Sequence, residues 1–277
     1  MACRVELLCI GNELLIGKTL NTNAHWLSQE LTRLGADVTR VTVVNDDIKT
    51  IASTLREILR RRPDIVLTSG GLGPTFDDKT LQAFSRAFGR PLKLNPRALK
   101  LVRSRYREIL GKRKPQLTAP RLKMATLPAD AKAIPNPVGT APAVTLAERE
   151  VKFIILPGVP TELQAIFKQS VSGQIKKMVG RQLFLEASYI VSGLLESQIA
   201  PLIEQVMSSI PDVYVKSHAR VGEGREDSFI ELHFSSKARS GGIAKRRILE
   251  SINLMTELLG RSTLIDLCLK NIKPSSG

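Results

Sequence analysis

Ser69-Gly70-Gly71-Leu72-Gly73-Pro74-Thr75-Phe76-Asp77-Asp78-Lys79-Thr80 is the stretch whose reading decides the fold. In front of it stands a short apolar run, Asp64-Ile65-Val66-Leu67-Thr68, the pattern of a buried strand. Behind it, Leu81, Phe84 and Phe88 recur at helical spacing. The order is therefore strand, glycine-rich turn, helix. The glycines let the backbone turn sharply and approach a ligand closely. Their N–H groups, together with the N-terminus of the next helix, offer a place for an anion. Asp77 and Asp78 follow at once, and paired carboxylates beside a phosphate cradle suggest a metal held against a phosphate. The competing reading is a tight turn in which Asp77 or Asp78 serves as a helix N-cap. Ser69, Pro74 and Thr75, joined to the double Asp, favour the ligand-binding reading.

Working towards the N-terminus, the same alternation repeats. Residues 5–10 form an apolar strand, and Gly11-Asn12-Glu13-Leu14-Leu15-Ile16-Gly17 follows as a loop. Asn12 and Glu13 then sit at a strand's carboxyl end, where open α/β sheets bind their ligands. Asn21-Thr22-Asn23 supplies helix caps, Trp26, Leu27, Leu31 and Leu34 mark one helical face, and Gly35 stops the helix. Residues 38–44 form a β-branched strand ending at Asn45-Asp46-Asp47. Ile48, Ile51, Leu55, Ile58 and Leu59 give a helical stripe with Asp47 as its cap. Strands alternating with helices predict a parallel sheet covered on both faces.

Towards the C-terminus, residues 96–110 read as a helix stopped by Gly111. Ile134-Pro135-Asn136-Pro137-Val138-Gly139-Thr140-Ala141-Pro142 is a loop stiffened by three prolines, with Asn136 and Thr140 as its polar groups. Residues 144–146 and 151–156 predict a hairpin that runs into Pro157-Gly158-Val159-Pro160-Thr161-Glu162-Leu163 and a helix to about residue 178. Beyond Gly180 the pattern changes to a compact α+β unit. Its expected strands are 183–191, 213–215 and 229–234, and its expected helices are 195–207 and 243–259. Gly222-Glu223-Gly224 and Gly241-Gly242 mark turns.

A chain of 277 residues is long for one domain and comfortable for two. The division expected is 1–175, 180–265 and a tail, 266–277, loose from Asn271 onward. No apolar run approaches the length of a membrane span, and the N-terminus shows no signal peptide. Three cysteines without a CxxC pair point to a reducing, cytoplasmic setting and away from zinc. The histidines His25, His218 and His233 are scattered. The net charge is +15. Residues 97–123 hold ten basic side chains against the single acid Glu108, a patch able to attract a polyanion. Tyr106 is its only aromatic, so base stacking is poorly supported and a solvated face is the plainer reading.

Three stretches now point one way: residues 11–17 with Asn21-Thr22-Asn23, residues 69–80, and residues 136–142 with 156–163. Together they resemble the competence/damage-inducible CinA family, whose main domain has the MoaB/MogA-like molybdenum-cofactor-biosynthesis fold. The order of elements in 180–260 is similar to the small KH-like domain that follows in that family, although no G-x-x-G clamp is present. The resemblance implies a three-layer αβα domain with a mostly parallel sheet, a smaller α+β domain and a homo-oligomer. CinA-type domains are associated with metal-dependent hydrolysis of ADP-ribose, and relatives in eukaryotic FAD synthases with hydrolysis of FAD. The MoaB/MogA branch instead binds molybdopterin. Ala143 and Leu163 depart from the family's usual Gly and Met. The deamidase domain that many CinA proteins carry for nicotinamide mononucleotide is not expected in this chain.

The functional expectation is a hydrolase of a nucleotide pyrophosphate linkage, ADP-ribose first, using Mg, Mn or Co. The catalytic set expected is Asp78, Asp77 and Glu13, with Asp78 and Asp46 on the metal. The set expected around substrate and phosphate is Asn12, Asn23, Ser69, Gly70, Gly71, Leu72, Gly73, Thr75, Asn136, Gly139, Thr140, Pro142, Gly158 and Pro160. The alternative is a non-hydrolytic molybdopterin binder. A third reading is nucleic-acid binding through residues 97–123. No membrane partner is expected.

Overall fold

The computed structural model describes residues 3–111, 116–220, 229–260 and 264–268. The chain divides into two compact units, Met1–Thr32 with Ala36–Val179, and Arg33–Gly35 with Gly180–Gly277.

The first unit begins with β1 (Arg4–Ile10), the short helix α1 (Asn12–Leu15) and α2 (Thr22–Arg33). It continues through β2 (Asp37–Val44), α3 (Ile48–Arg61), β3 (Ile65–Ser69) and α4 (Thr80–Phe88). Then come β4 (Leu92–Leu94), α5 (Pro96–Leu110), α6 (Ala119–Met124), β5 (Thr126–Pro128) and β6 (Lys132–Ile134). The hairpin β7 (Ala143–Glu148) and β8 (Val151–Leu156) leads into α7 (Pro160–Ile166) and α8 (Ser172–Val179). A π-turn, Phe167–Val171, joins the last two where a single helix was expected. The loop expected at 11–17 contains α1.

The six-stranded sheet runs β2-β1-β3-β8-β7-β6. β1 pairs parallel with β2 and β3, and β3 pairs parallel with β8. β7 and β6 are antiparallel additions at one edge. The mostly parallel α/β sheet expected from the sequence is therefore the one observed. Its inner strands β1, β3 and β8 are buried on both faces, which is why they read as continuous apolar runs. Leu8, Ile10, Val66, Phe153 and Ile155 share one core with the buried faces of α3 and α4. Phe84 and Phe153 meet edge-on, with ring centroids 5.4 Å apart. Leu7, Leu67 and Ile154 point to the opposite face by the period-two pleat and are also buried.

Glu6 breaks the apolar pattern of β1 and is itself buried. Arg61, in the last turn of α3, answers it with two bonds, Nε to Oε1 at 2.9 Å and the terminal nitrogen to Oε2 at 2.6 Å. A buried carboxylate without that bidentate partner would be costly.

The second unit contains β9 (Leu183–Ser192), α9 (Glu196–Ser209), β10 (Val213–Arg220), β11 (Phe229–Ala238), α10 (Gly241–Leu259) and β12 (Leu264–Cys268). Its sheet is antiparallel, in the order β10-β11-β9-β12. Alternate residues Tyr189, Val191, Leu232 and Phe234 join Ile199, Val206, Ile248 and Met255 of the helices in one core. Asp266, Leu267 and Cys268, placed in the tail by the sequence reading, pair with Ile190, Tyr189 and Ser188. The turn expected at 222–224 and the tail beyond 268 lie outside the described residues.

Candidate functional site

The carboxyl ends of β1, β2, β3 and β8 converge on a cleft of about 350 Å³. β1 is central, with β2 on one side and β3 on the other. The connections leaving its two flanks diverge there, which opens a crevice at the strand ends. Each strand delivers its own segment to the cleft: Ile10 and Gly11 after β1, Asp46 after β2, Gly70 to Gly73 after β3, and Pro157 to Val159 after β8. Thr140 and Ala141, just before β7, close another side.

The glycine turn is fixed by its backbone. Gly70 has φ +108° and Gly71 φ +69°, conformations that L side chains rarely adopt. A Cβ on Gly70 would collide with the Ile10 carbonyl, and one on Gly71 with the Thr80 hydroxyl. Thr80 is fully buried and donates its hydroxyl to the Gly70 carbonyl at 2.8 Å. The Thr80 N–H reaches the Gly71 carbonyl at 3.3 Å, and the Gly70 N–H reaches the Leu156 carbonyl at 3.1 Å. Carbonyls are thus tied inward, while the N–H groups of Gly71, Leu72 and Gly73 have no acceptor among the described residues.

Asp77 and Asp78 do not cap α4. Its N-cap is Lys79, which makes no side-chain cap bond. Asp78 Oδ2 instead accepts from the Thr75 N–H at 2.8 Å and the Thr75 hydroxyl at 2.5 Å. The same hydroxyl contacts Asp77 Oδ1. One O–H donates to one acceptor at a time, so Thr75 draws two like charges around a shared proton. The Thr75 hydroxyl, followed by a backbone N–H, holds the Asp77 carboxyl below the usual carboxylate range. Asp46 moves the other way. Burial raises it first, and the charges of Glu13, Asp77 and Asp78 add to that, against the Asn12 N–H bonded to its Oδ2 at 2.8 Å.

The sequence-predicted residues separate into two groups. Glu13, Asp46, Gly70, Gly71, Leu72, Gly73, Asp77, Asp78, Thr140 and Gly158 line the cleft. Asn12, Asn23, Ser69, Thr75, Asn136, Gly139, Pro142 and Pro160 do not. Asn12 serves through its N–H to Asp46. Asn23 donates its amide to the Gly158 carbonyl at 2.7 Å, while Asn21 caps α2 by accepting from the Ala24 N–H at 3.1 Å. Ser69 ends β3 and is buried, and Pro160 begins α7.

Asn136 is buried and holds its own loop together. It accepts from the N–H groups of Val138 and Gly139 at 3.1 and 2.8 Å. It donates to the Ala141 carbonyl at 2.9 Å and to Glu162 Oε2 at 2.7 Å. Pro142 borders a neighbouring hollow of about 290 Å³ that includes Asn136 and Thr140.

Two residues were missed. Glu162 lines the cleft and stands in the first turn of α7, where a helix-dipole role sufficiently explains an acid in the sequence. Lys123 was counted only as part of the basic patch, yet its Nζ donates to the Thr75 carbonyl. Others in that patch are also engaged within the fold. Arg105 Nε donates to the Gly139 carbonyl at 3.0 Å, and the Arg121 guanidinium lies 3.8 Å from the centre of the Tyr106 ring. Lys112, Arg113 and Lys114 lie outside the described residues.

The expected metal ligands, Asp78 and Asp46, both face the cleft, but Asp78 Oδ2 and Asp46 Oδ2 already accept backbone N–H bonds. Among the described residues no group of three or more His, Cys, Asp or Glu side chains is placed to hold a metal ion. Among the described residues the cleft's carboxylates therefore do not form a preassembled cluster for a divalent ion. No helix among the described residues is long and apolar enough to cross a membrane.

A family model described as a probable molybdopterin binding domain matches residues 6–177, a span that contains all three motif stretches. A protein of Pyrobaculum aerophilum is 40% identical over 253 residues, covering 91% of this chain and 93% of that relative. A protein of Aeropyrum pernix is 43% identical over 220 residues, covering 79% and 80% respectively. Among solved structures, the protein CinA of Thermoplasma acidophilum, described as of unknown function, is 41% identical with a TM-score of 0.57. The match covers 62% of this chain and 98% of that one.

Proposed function

Because this chain belongs to the family of probable molybdopterin-binding domains, we propose that its first unit holds a molybdopterin-type ligand in the cleft under the glycine turn and does not hydrolyse it. The observation that carries this reading is the cleft's lining. Glu13, Asp46, Asp77, Asp78 and Glu162 face it, with no lysine or arginine among its walls. A pterin's amino-pyrimidinone edge presents adjacent N–H donors, which match the two acceptor oxygens of a carboxylate. Around 350 Å³ lies within the usual range for a small-ligand cleft. The unbonded N–H groups of Gly71 to Gly73 add donors for an anionic oxygen of the same ligand.

The competing reading is metal-dependent hydrolysis of a nucleotide pyrophosphate such as ADP-ribose. It is supported by four of the cleft's five carboxylates, Glu13, Asp46, Asp77 and Asp78, the set that reading calls on. Two measurements separate the readings. Pterin fluorescence is followed in the purified protein and on titration with molybdopterin. ADP-ribose is incubated with the protein and Mg²⁺, Mn²⁺ or Co²⁺, and AMP and ribose 5-phosphate are assayed. Saturable pterin binding with no turnover is the expected result. Turnover of ADP-ribose with no pterin affinity would reverse the ranking. Self-association belongs to the same proposal, since Ile16, Leu20 and Phe76 are large apolar side chains left exposed on the loops of this unit. Light scattering on the eluted protein measures it.

A further inference from the structure

Helix α5 has a face that the cleft does not use, since the cleft's lining includes no residue of this helix. Ala98 and Val102 are buried in the first unit's core, and Leu99, Leu101 and Tyr106 pack against it. Those contacts fix which side faces out. At 3.6 residues per turn, Arg97, Lys100, Arg103 and Arg107 fall within an outward arc of about 120°, and all four are exposed. At 1.5 Å per residue the stripe runs about 15 Å. None of the four has a hydrogen bond, ion pair or ring contact among the described residues. The helix's one acid, Glu108, is bonded to Arg105 at 2.5 Å, and Arg105 also holds the Gly139 carbonyl. The arginines of α10 differ: Arg246 is answered by Glu250 and Arg247 by Asp212. Like charges three and four residues apart on a helix destabilise it, and an anionic partner would reverse that cost.

We propose that the stripe Arg97, Lys100, Arg103 and Arg107 binds the phosphodiester backbone of a nucleic-acid duplex without reading its sequence. One strand of a duplex presents a phosphate about every 3.4 Å along the axis, so a stripe of about 15 Å faces roughly four of them, one for each cation. A single strand is the poorer fit, because such sites add aromatic platforms for the bases. The helix's one aromatic, Tyr106, packs against the core and is covered by the Arg121 guanidinium. A membrane surface is the poorer fit as well. The exposed large apolar side chain of α5, Ile109, falls away from the stripe by helical spacing, so nothing beside the cations enters lipid.

The test titrates a short fluorescent DNA duplex with the full chain between about 50 and 200 mM salt. Four phosphate contacts predict a slope of log affinity against log salt of about −3.6. The double variant Arg103→Gln with Arg107→Gln is expected to bring the slope to about −1.8 and to weaken binding at the lower salt by at least about tenfold. Lys176→Gln with Lys177→Gln removes the same charge from exposed positions on α8 and serves as the control. Its affinity should stay within about twofold of the parent, since charges outside the contact are screened. A parent that binds no duplex would overturn the proposal. Equal losses from the two double variants would overturn the stripe and leave only the overall charge of the chain. Tighter binding to phosphatidylserine vesicles than to the duplex would overturn it in favour of a membrane. A preference above about tenfold between AT-rich and GC-rich duplexes would overturn binding through the backbone alone.

Discussion

The glycine turn and the proline-rich loop at 134–142 both read as ligand-binding loops, yet they are built on opposite plans. The turn is held by backbone geometry and leaves the N–H groups of Gly71 to Gly73 without an acceptor among the described residues. The proline loop is held by one side chain, Asn136, whose amide is consumed inside the loop. A basic residue braces each from outside, Lys123 on the Thr75 carbonyl and Arg105 on the Gly139 carbonyl. The difference teaches that an invitingly polar residue in a rigid loop can be what makes the loop rigid. In that case the ligand meets the backbone and the neighbours it positions, here Thr140 and Glu162.

The largest effect expected is from Asn136→Ala. It leaves the part-buried N–H groups of Val138 and Gly139, and the Ala141 carbonyl, without their partner. Loss of several bonds to a buried amide should cost about 3 kcal/mol in urea unfolding. A loss under about 1 kcal/mol would mean that the prolines alone fix this loop, and the comparison would fail. Gly71→Ala comes next, at roughly 2 kcal/mol, from its positive φ and the collision with the Thr80 hydroxyl. Pterin affinity should fall with it, because the same backbone lines the cleft. Thr80→Val keeps the shape and removes the bond to Gly70, and should cost about 1 kcal/mol with no collision to relieve.

Asp78→Asn sharpens the contrast between holding a loop and doing chemistry. Asn can still accept from the Thr75 N–H, so thermal unfolding should move by no more than roughly 1 kcal/mol. Under the binding reading the pterin affinity changes modestly. Under the hydrolytic reading any ADP-ribose turnover should drop by about a hundredfold or more. The smallest effect is electrostatic. Burial and its acidic neighbours raise the Asp46 pKa, so at neutral pH its ionisation opposes folding. Asp46→Asn should therefore be the more stable protein at pH 7, by less than about 1 kcal/mol. The advantage should close as pH falls below the unfolded carboxylate range, near about 3.9. Melting temperatures of both proteins at pH 7 and at low pH decide it, and a constant gap would remove the charge explanation.

The parallel sheet was legible because burial on both faces leaves a sequence mark, unbroken apolar runs such as Ile65 to Leu67 between helical stripes such as Ile51, Leu55 and Ile58. The turn was legible because Gly70 and Gly71 occupy conformations few other residues tolerate. The short edge strands β4, β5 and β6 have no such mark, since three residues are too few to show a period. The π-turn in the α7–α8 segment leaves the apolar spacing nearly intact and so was read as continuous helix.

Sequence by itself determined the alternation of the longer strands and helices, the glycine turn, the cap Asp47, and the family to which residues 6–177 belong. Only the tertiary structure decided the direction in which each polar group points. It turned Asn136 inward, tied Asp78 to Thr75, brought Glu162 from a distant helix into the cleft and set Lys123 against the glycine turn. Spacing along a chain reports which face of a helix or strand is apolar. Where a loop's amide, carboxylate or ammonium finds its partner is fixed by segments far away in sequence, and no local pattern records that.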